Sequence, residues 1–427
     1  MRRGTRWLVG ILGAALLAAL LLAAASWLLI DRDGLRRLVV GAVRSQTGWD
    51  LAVAQPVGLG FDGGIGLTLR GLQLTGPAGG PFRADALELR LKPWPLLMRR
   101  VEVDSLRLEG LAVDQGPRRI DASTALRVDA ATQALLADPL DITLDGAPLT
   151  GHARWQGGVS PALTAELRGA AIVLEGARLA NATLRTGLAD GVITQTVEAE
   201  LYGGRGHAVL ELRGAAPPVW SLRAKLERLR IHELARDLGR PGRLEGVATL
   251  EADLGGQGVT EAEIRRTLAG SLRLALRDGA YVGIDLPHLV DKVGTALDGK
   301  PAVDADQRRT PLTALDATAT VRDGVLRNDD LRGEAPPFQL SGAGTVDLPA
   351  ERLDYLLTAR LPAETANLGK RLRTLRGVPI PVRLSGPIAE PRATLDVEAA
   401  LRGAARLRLE DKLDGKLGDK LRGLLGR

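Results

Sequence analysis

The chain has no cysteine, and that one absence removes disulfides, Cys-ligated zinc, iron–sulfur clusters and cysteine nucleophiles together. It leaves an oxidising compartment open without requiring one. Aromatic residues are only 3% of the 427 positions. A domain that binds single-stranded nucleic acid needs aromatic stacking platforms, so no nucleic-acid partner is expected. The net charge of +6 is a mild excess, carried mostly by arginine. Catalytic signatures are missing as well: neither G-x-x-x-x-G-K-[ST] nor G-x-S-x-G occurs. The four histidines, His152, His207, His232 and His288, are dispersed, and none lies in H-E-x-x-H. Carboxylates alternate with leucine and read as a solvated strand face rather than an acid–base pair. Gly58-Leu59-Gly60-Phe61-Asp62-Gly63 matches the dinucleotide fingerprint in letters. A strand-like Gly64–Leu69 follows it, where a pyrophosphate site needs a helix, so a turn between strands is expected. The expectation is a non-enzyme with no cofactor and no metal.

Long hydrophobic runs are scarce, and the one present stands out. Trp7–Ile30 is 24 residues without a charge. A bilayer core of about 30 Å needs roughly 20 apolar residues. Trp7 and Trp27 would lie one at each interface. Arg2, Arg3 and Arg6 precede the run and keep the N-terminus cytoplasmic. Ala23-Ala24-Ala25 offers a signal-peptide cleavage site, but the run exceeds the usual 7–15-residue h-region, so an uncleaved anchor is favoured.

What is abundant is alternation. Leu35, Leu38, Val39, Ala42 and Val43 mark one helix face, and beyond Gly48 the period changes to two. Leu67, Leu69, Leu72 and Leu74 alternate with polar residues, as do Leu87, Leu89 and Leu91. Val101 and Val103, Leu106 and Leu108, and Leu272, Leu274 and Leu276 do the same. With 52 glycines and 23 prolines between such runs, antiparallel strands with one apolar face are expected. Short helices are expected at Glu261–Leu268, His288–Leu297 and Glu364–Leu375. A Leu-Glu-Gly string recurs at Gly110, Gly176 and Gly246, too irregularly for a strict repeat.

The C-terminus changes character again. Leu401, Ala405, Leu409, Leu413, Leu417, Leu421 and Leu425 recur every four residues among lysines and aspartates. That is an amphipathic helix with a broad apolar face, suited to capping the sheet, lying on a membrane or docking a partner. Something must also cover the apolar face of the strands. Either a second sheet does so, or the sheet curls into a groove that takes a ligand such as an acyl chain. The groove candidates are the alternating residues named above.

Several stretches resemble the AsmA family, inner-membrane-anchored periplasmic proteins of Gram-negative bacteria. They are Leu268–Ser271, Arg277–Leu286, Gly344–Pro349 with Leu353-Asp354-Tyr355, and above all Val378–Ile388 with Pro391 and Asp396. The anchor, the Leu35 helix and the strands through Leu111 are similar too, whereas residues 115–240 match only in style. The resemblance implies a mainly β, elongated and curled antiparallel sheet with an apolar groove behind a single transmembrane helix. It also implies a role in outer-membrane biogenesis and phospholipid movement, an effect on outer-membrane protein assembly, and no agreed catalytic residues. The expected partners are a phospholipid or other acyl lipid, the inner membrane, and an envelope protein at the C-terminal helix. The competing reading is a periplasmic scaffold that binds proteins and no lipid. The expected layout is a cytoplasmic tail (1–6), the crossing (7–30), an N-terminal helix-and-strand region (31–126), a middle β region (127–245), a second family-like β region (246–396) and the terminal helix (397–427).

Overall fold

The computed structural model describes residues 50–55, 58–60, 65–76, 79–92, 103–113, 119–128, 134–156, 161–214, 217–240, 242–286, 288, 290, 309–362, 376–396, 398–400, 402–403 and 405–406. The expected crossing with Trp7 and Trp27, the Leu35 helix, Val101, the helix at 364–375 and the leucines from Leu409 to Leu425 lie outside these residues. Among the described residues no helix is long and apolar enough to cross a membrane.

The chain is mainly β, with antiparallel strand pairs and few helices. It divides into two compact units. Unit 1 comprises Met1–Leu201, Gly206–Ser221 and Gln257–Glu261; unit 2 comprises Tyr202–Arg205, Leu222–Gly256 and Ala262–Arg427. In unit 1, β1 (Asp50–Val53) and β2 (Gly58–Gly60) both pair with β3 (Ile65–Gly76). The strands β4 (Gly79–Leu91), β5 (Val103–Val113), β6 (Arg119–Val128) and β7 (Leu135–Leu144) follow, each antiparallel to the one before. So do β8 (Ala147–Gln156), β9 (Ala162–Leu174), β10 (Ala177–Ala189) and β11 (Val192–Leu201). After β12 (Gly204–Arg213) and β13 (Val219–Arg230) comes the short helix α1 (Ile231–Asp237), which the sequence pattern does not announce. Unit 2 continues with β14 (Leu244–Gln257), α2 (Glu261–Thr267), β15 (Ala269–Val282), β16 (Arg309–Arg322) and β17 (Val325–Ala335). It ends with β18 (Phe338–Asp347), β19 (Arg352–Arg360), β20 (Pro379–Pro387) and β21 (Arg392–Leu395). From β14 onward each strand again pairs with its sequence neighbour.

Local chemistry explains the hairpins. Asp145-Gly146, Asp190-Gly191 and Asp323-Gly324 are two-residue loops in which both residues have positive φ, as in Asp145 at 50° and Gly146 at 85°. Such turns carry the right-handed twist of the strands they join, and Asp-Gly is the pair that tolerates them. The recurring Glu-Gly string resolves into two devices. Glu175-Gly176 is another such turn, whereas Gly110 and Gly246 sit at register shifts within β5 and β14. The fingerprint-like Gly58–Gly60 is strand β2 against Gly66–Thr68, as a turn between strands requires.

The core of unit 2 is a single cluster. Leu276, Val290, Ala359, Leu361, Ile380 and Ala400 are fully enclosed within it, with Leu286, Leu312, Phe338, Val378 and Val382 beside them. Two expected helical segments meet it: residues 286, 288 and 290 are helical, and so are 398–400, 402–403 and 405–406. The Asp285 carboxylate accepts from the His288 N–H at 2.9 Å and Asp396 accepts from Ala399 N–H at 2.8 Å, so both segments are N-capped. Helix thus covers part of the apolar face of unit 2.

Candidate functional site

Because the strands are in register and alternate, their inward residues line up in rows across the sheet. In unit 1 one row is Leu69–Leu87–Leu108–Ala122–Ile142–Leu149, six strands of apolar residues without interruption. Its large members are buried. A second row runs Leu67–Leu89–Leu106–Thr124–Leu140–Gly151–Leu167–Leu184–Val197. A third, Leu135–Trp155–Leu163–Leu188–Ile193, is more open: Leu135, Trp155, Leu188 and Ile193 are only half-buried. Between the second and third rows lies a furrow of small residues, Ala137–Ala153–Ala165. It leads to a polar pair, Thr186 and Gln195, whose side chains meet at 2.6 Å, hydroxyl donating to the amide oxygen.

Unit 2 repeats the arrangement in closed form. Ala248–Leu276–Leu315–Gly333–Leu340–Ala359–Ile380 crosses seven strands, most of it fully enclosed. The neighbouring residues Leu272 and Leu274 on β15 remain half-buried. One polar cluster interrupts this face. Buried Asn328 donates to the Thr318 carbonyl at 2.6 Å and to Asp330 at 2.7 Å, and accepts from the Tyr355 hydroxyl. Burial first, then the carboxylates of Asp330 and Asp329, push the Tyr355 phenol up to about 12. The Thr318 backbone N–H and hydroxyl hold the Asp330 carboxyl below its ordinary range. Gly344 makes room for the ring, since a Cβ there would stand 2.5 Å from Tyr355 Cδ2.

The opposite face is charged and paired. Glu166 bonds Arg168 at 2.6 Å and Arg185 at 3.0 Å, and Arg185 continues to Glu198 at 3.0 Å. The Arg185 hydrogen bond holds Glu166 below the usual carboxylate range. His207 stands 3.7 Å from Glu198. Among the described residues no three His, Cys, Asp or Glu side chains gather to hold a metal.

The groove candidates fall as follows. Leu67, Leu69, Leu72, Leu87, Leu89, Leu91, Leu106, Leu108 and Leu276 are buried, and the rows above bring most of them together. Leu272 and Leu274 are half-buried. Leu74 and Val103 lie on β3 and β5, opposite Phe82 and Leu91. The half-open row from Leu135 to Ile193, the Thr186–Gln195 pair and Asn328 escaped the sequence reading. A signal for Asn328 was present: Leu326 and Leu331 are out of phase by one, which marks the register shift between Asn328 and Leu331.

The AsmA family model matches residues 145–331 of this chain. Over 242 residues the chain is 24% identical to Protein AsmA of Escherichia coli (strain K12), covering 56% of this chain. The same match spans 38% of that protein's length. No solved structure matches.

Proposed function

From the match of the AsmA family model and the likeness to Protein AsmA, we propose that this chain is a member of the AsmA family, a non-enzymatic cell-envelope protein that holds or guides acyl lipid and supports outer-membrane biogenesis. In this reading residues 7–30 cross the inner membrane once, and the strands lie in the periplasm as an elongated, curled groove. Phospholipid or another acyl lipid is the ligand, and the helix from Leu409 to Leu425 docks an envelope partner. The observation that carries the reading is the half-open row from Leu135 to Ile193. Its register is continuous over five strands, about 19 Å at the usual strand spacing. That exceeds half of a bilayer core of about 30 Å, the length one acyl chain fills. Each CH₂ laid against such a row gains about 0.8 kcal/mol, so a long chain is held firmly without any polar recognition. The alternative, a scaffold without lipid, draws on the row through Leu276, most of which is fully enclosed.

The test is lipid extraction and mass spectrometry on the full chain purified in detergent, beside a single-crossing control protein. Acyl lipid retained in stoichiometric amount over the control is expected. Retention no higher than the control refutes the lipid role.

A further inference from the structure

A cavity of about 500 Å³ opens in unit 1, and it does not lie on the apolar face. Its lining alternates in a way that fixes the side. Arg90 and Ser105 sit opposite one another, as do Glu88 and Arg107, Arg107 and Ser123, and Ser123 and Asp141. These six residues share the polar face of β4–β7. Between them run Leu67, Leu89 and Leu106, which point to the other side and are buried there. Leu69, Leu87 and Leu108, the next residues along the apolar face, take no part in the lining. The cavity is therefore a polar trough, separated by the thickness of the sheet from any lane for acyl chains.

Its charges are arranged unlike those elsewhere on this face. On β9–β11 the carboxylates and arginines close on one another at 2.6–3.0 Å. In the trough Arg107 leans on Glu109 at 3.3 Å, and Glu88, Arg90 and Asp141 have no ion-pair partner among the described residues. Arg90 and Arg107 are diagonal neighbours on adjacent strands, about 7–8 Å apart at their Cβ atoms, so both guanidinium groups reach one anion. The Ser105 and Ser123 hydroxyls, both half-buried, offer donors on the floor between them. Glu88 faces Arg107 at the usual cross-strand distance of about 5 Å, and Asp141 flanks the far side two strands away. Among the described lining residues two positive and two negative groups cancel, so a ligand with no net charge enters at least cost. Among the described lining residues none is aromatic and able to stack on a flat ligand.

We propose that this trough binds a small zwitterion. Its anionic group, phosphate or carboxylate, lies between Arg90 and Arg107, and its ammonium group, about 5 Å away, meets Glu88 or Asp141. The volume falls within the range of small-molecule sites. The same chemistry occurs in a soluble amino-phosphate and in an aminophospholipid headgroup, and the test separates the two.

The full chain in detergent is titrated calorimetrically with phosphoethanolamine, inorganic phosphate and ethanolamine. Phosphoethanolamine is expected to bind at least tenfold more tightly than either fragment. Arg90→Gln and Arg107→Gln are each expected to weaken it at least tenfold. The Glu88→Gln Asp141→Asn double variant is expected to remove the preference over phosphate while leaving phosphate binding in place. These side chains are exposed, so circular dichroism should be unchanged and the losses read as loss of contact. Competition by phosphatidylethanolamine vesicles against the soluble probe assigns the lipid headgroup as the source; no competition assigns the soluble compound. Undetectable binding, equal affinity for phosphate and phosphoethanolamine, or full affinity in the Arg90→Gln Arg107→Gln double variant overturns the proposal.

Discussion

Leu276→Ala tests whether the row across unit 2 is a close-packed core. Leu276 is 0% exposed and lies between Ala248 and Leu315, with Gly279 backing it. Removing three carbons costs about 0.8 kcal/mol each in transfer alone, roughly 2.4 kcal/mol. A cavity term adds to this where the walls cannot collapse, and observed Leu→Ala losses run about 2–5 kcal/mol. Here the walls are strands fixed by ladder hydrogen bonds on both sides, so the site relaxes little. The expected loss is therefore about 3–4 kcal/mol. A unit of some 200 residues shifts about 2–4 °C per kcal/mol, which predicts a fall of roughly 10 °C in its melting step. Scanning calorimetry of the full chain in detergent reads it, with Leu274→Ala as the internal comparison. Leu274 is half-buried two residues away on the same face and should cost less than about 2 kcal/mol. Equal losses for the two, or a loss below about 1 kcal/mol for Leu276→Ala, would falsify the packed-core description.

The remaining predictions concern the open row, the turns and one phenol. Leu188→Asp and Ile193→Asp should abolish retained lipid in mass spectrometry while far-UV circular dichroism stays native, because both positions are half-open; unfolding in both would make them ordinary core. Gly324→Ala should destabilise by about 2–4 kcal/mol, since its φ is +76° and a Cβ would collide with the Arg265 carbonyl. Gly191→Ala, at φ +74° but facing open space, should cost only about 1 kcal/mol; urea denaturation of the pair reads the difference, and equal costs would remove the collision from the account. In a spectrophotometric titration Tyr355 should ionise near 12, and the absorbance step should vanish in Tyr355→Phe. Because the folded-state value is raised, its stabilising share is present below the ordinary value of about 10 and drains away as pH rises toward 12, at most about 2.7 kcal/mol in all. A normal Tyr355 titration near 10 would mean the ring is not enclosed as described.

The period-two reading carried most of the fold because each inward leucine needs only its two flanking polar residues to be recognised. Leu272, Leu274 and Leu276 do share one face of β15, and Leu87, Leu89 and Leu91 share one face of β4. What that reading misses is whatever depends on a neighbouring strand. Burial differs between Leu276 and Leu274 although both alternate identically, because Leu276 sits inside the cluster with Leu286, Val290 and Ala400 while Leu274 packs against its edge. Gly110 and Gly176 follow the same dipeptide yet make a bulge and a turn, since the partner strand decides whether the chain reverses. The helix α1 was hidden because strand β13 runs straight into it at Arg230, with no side-chain cap to signal a start. The polar trough was invisible for the same reason as the rows: Arg90 and Arg107 are 17 positions apart in sequence and meet only through the register of β4 and β5.

One consequence of the neighbour-by-neighbour pairing concerns how such a chain comes to fold. From β3 to β11, and again from β14 to β21, every strand finds its partner in the strand made just before it. No strand within either run waits for a distant one, so loop-closure entropy is paid in small instalments. Hairpins form in about 1–10 μs, whereas synthesis delivers about 5–20 residues per second, roughly one strand each second. Each new strand can therefore lie down on a finished edge long before the next arrives. The growing sheet then exposes one fresh edge at a time, which limits both the lifetime and the length of the surface on which mispairing with another chain begins.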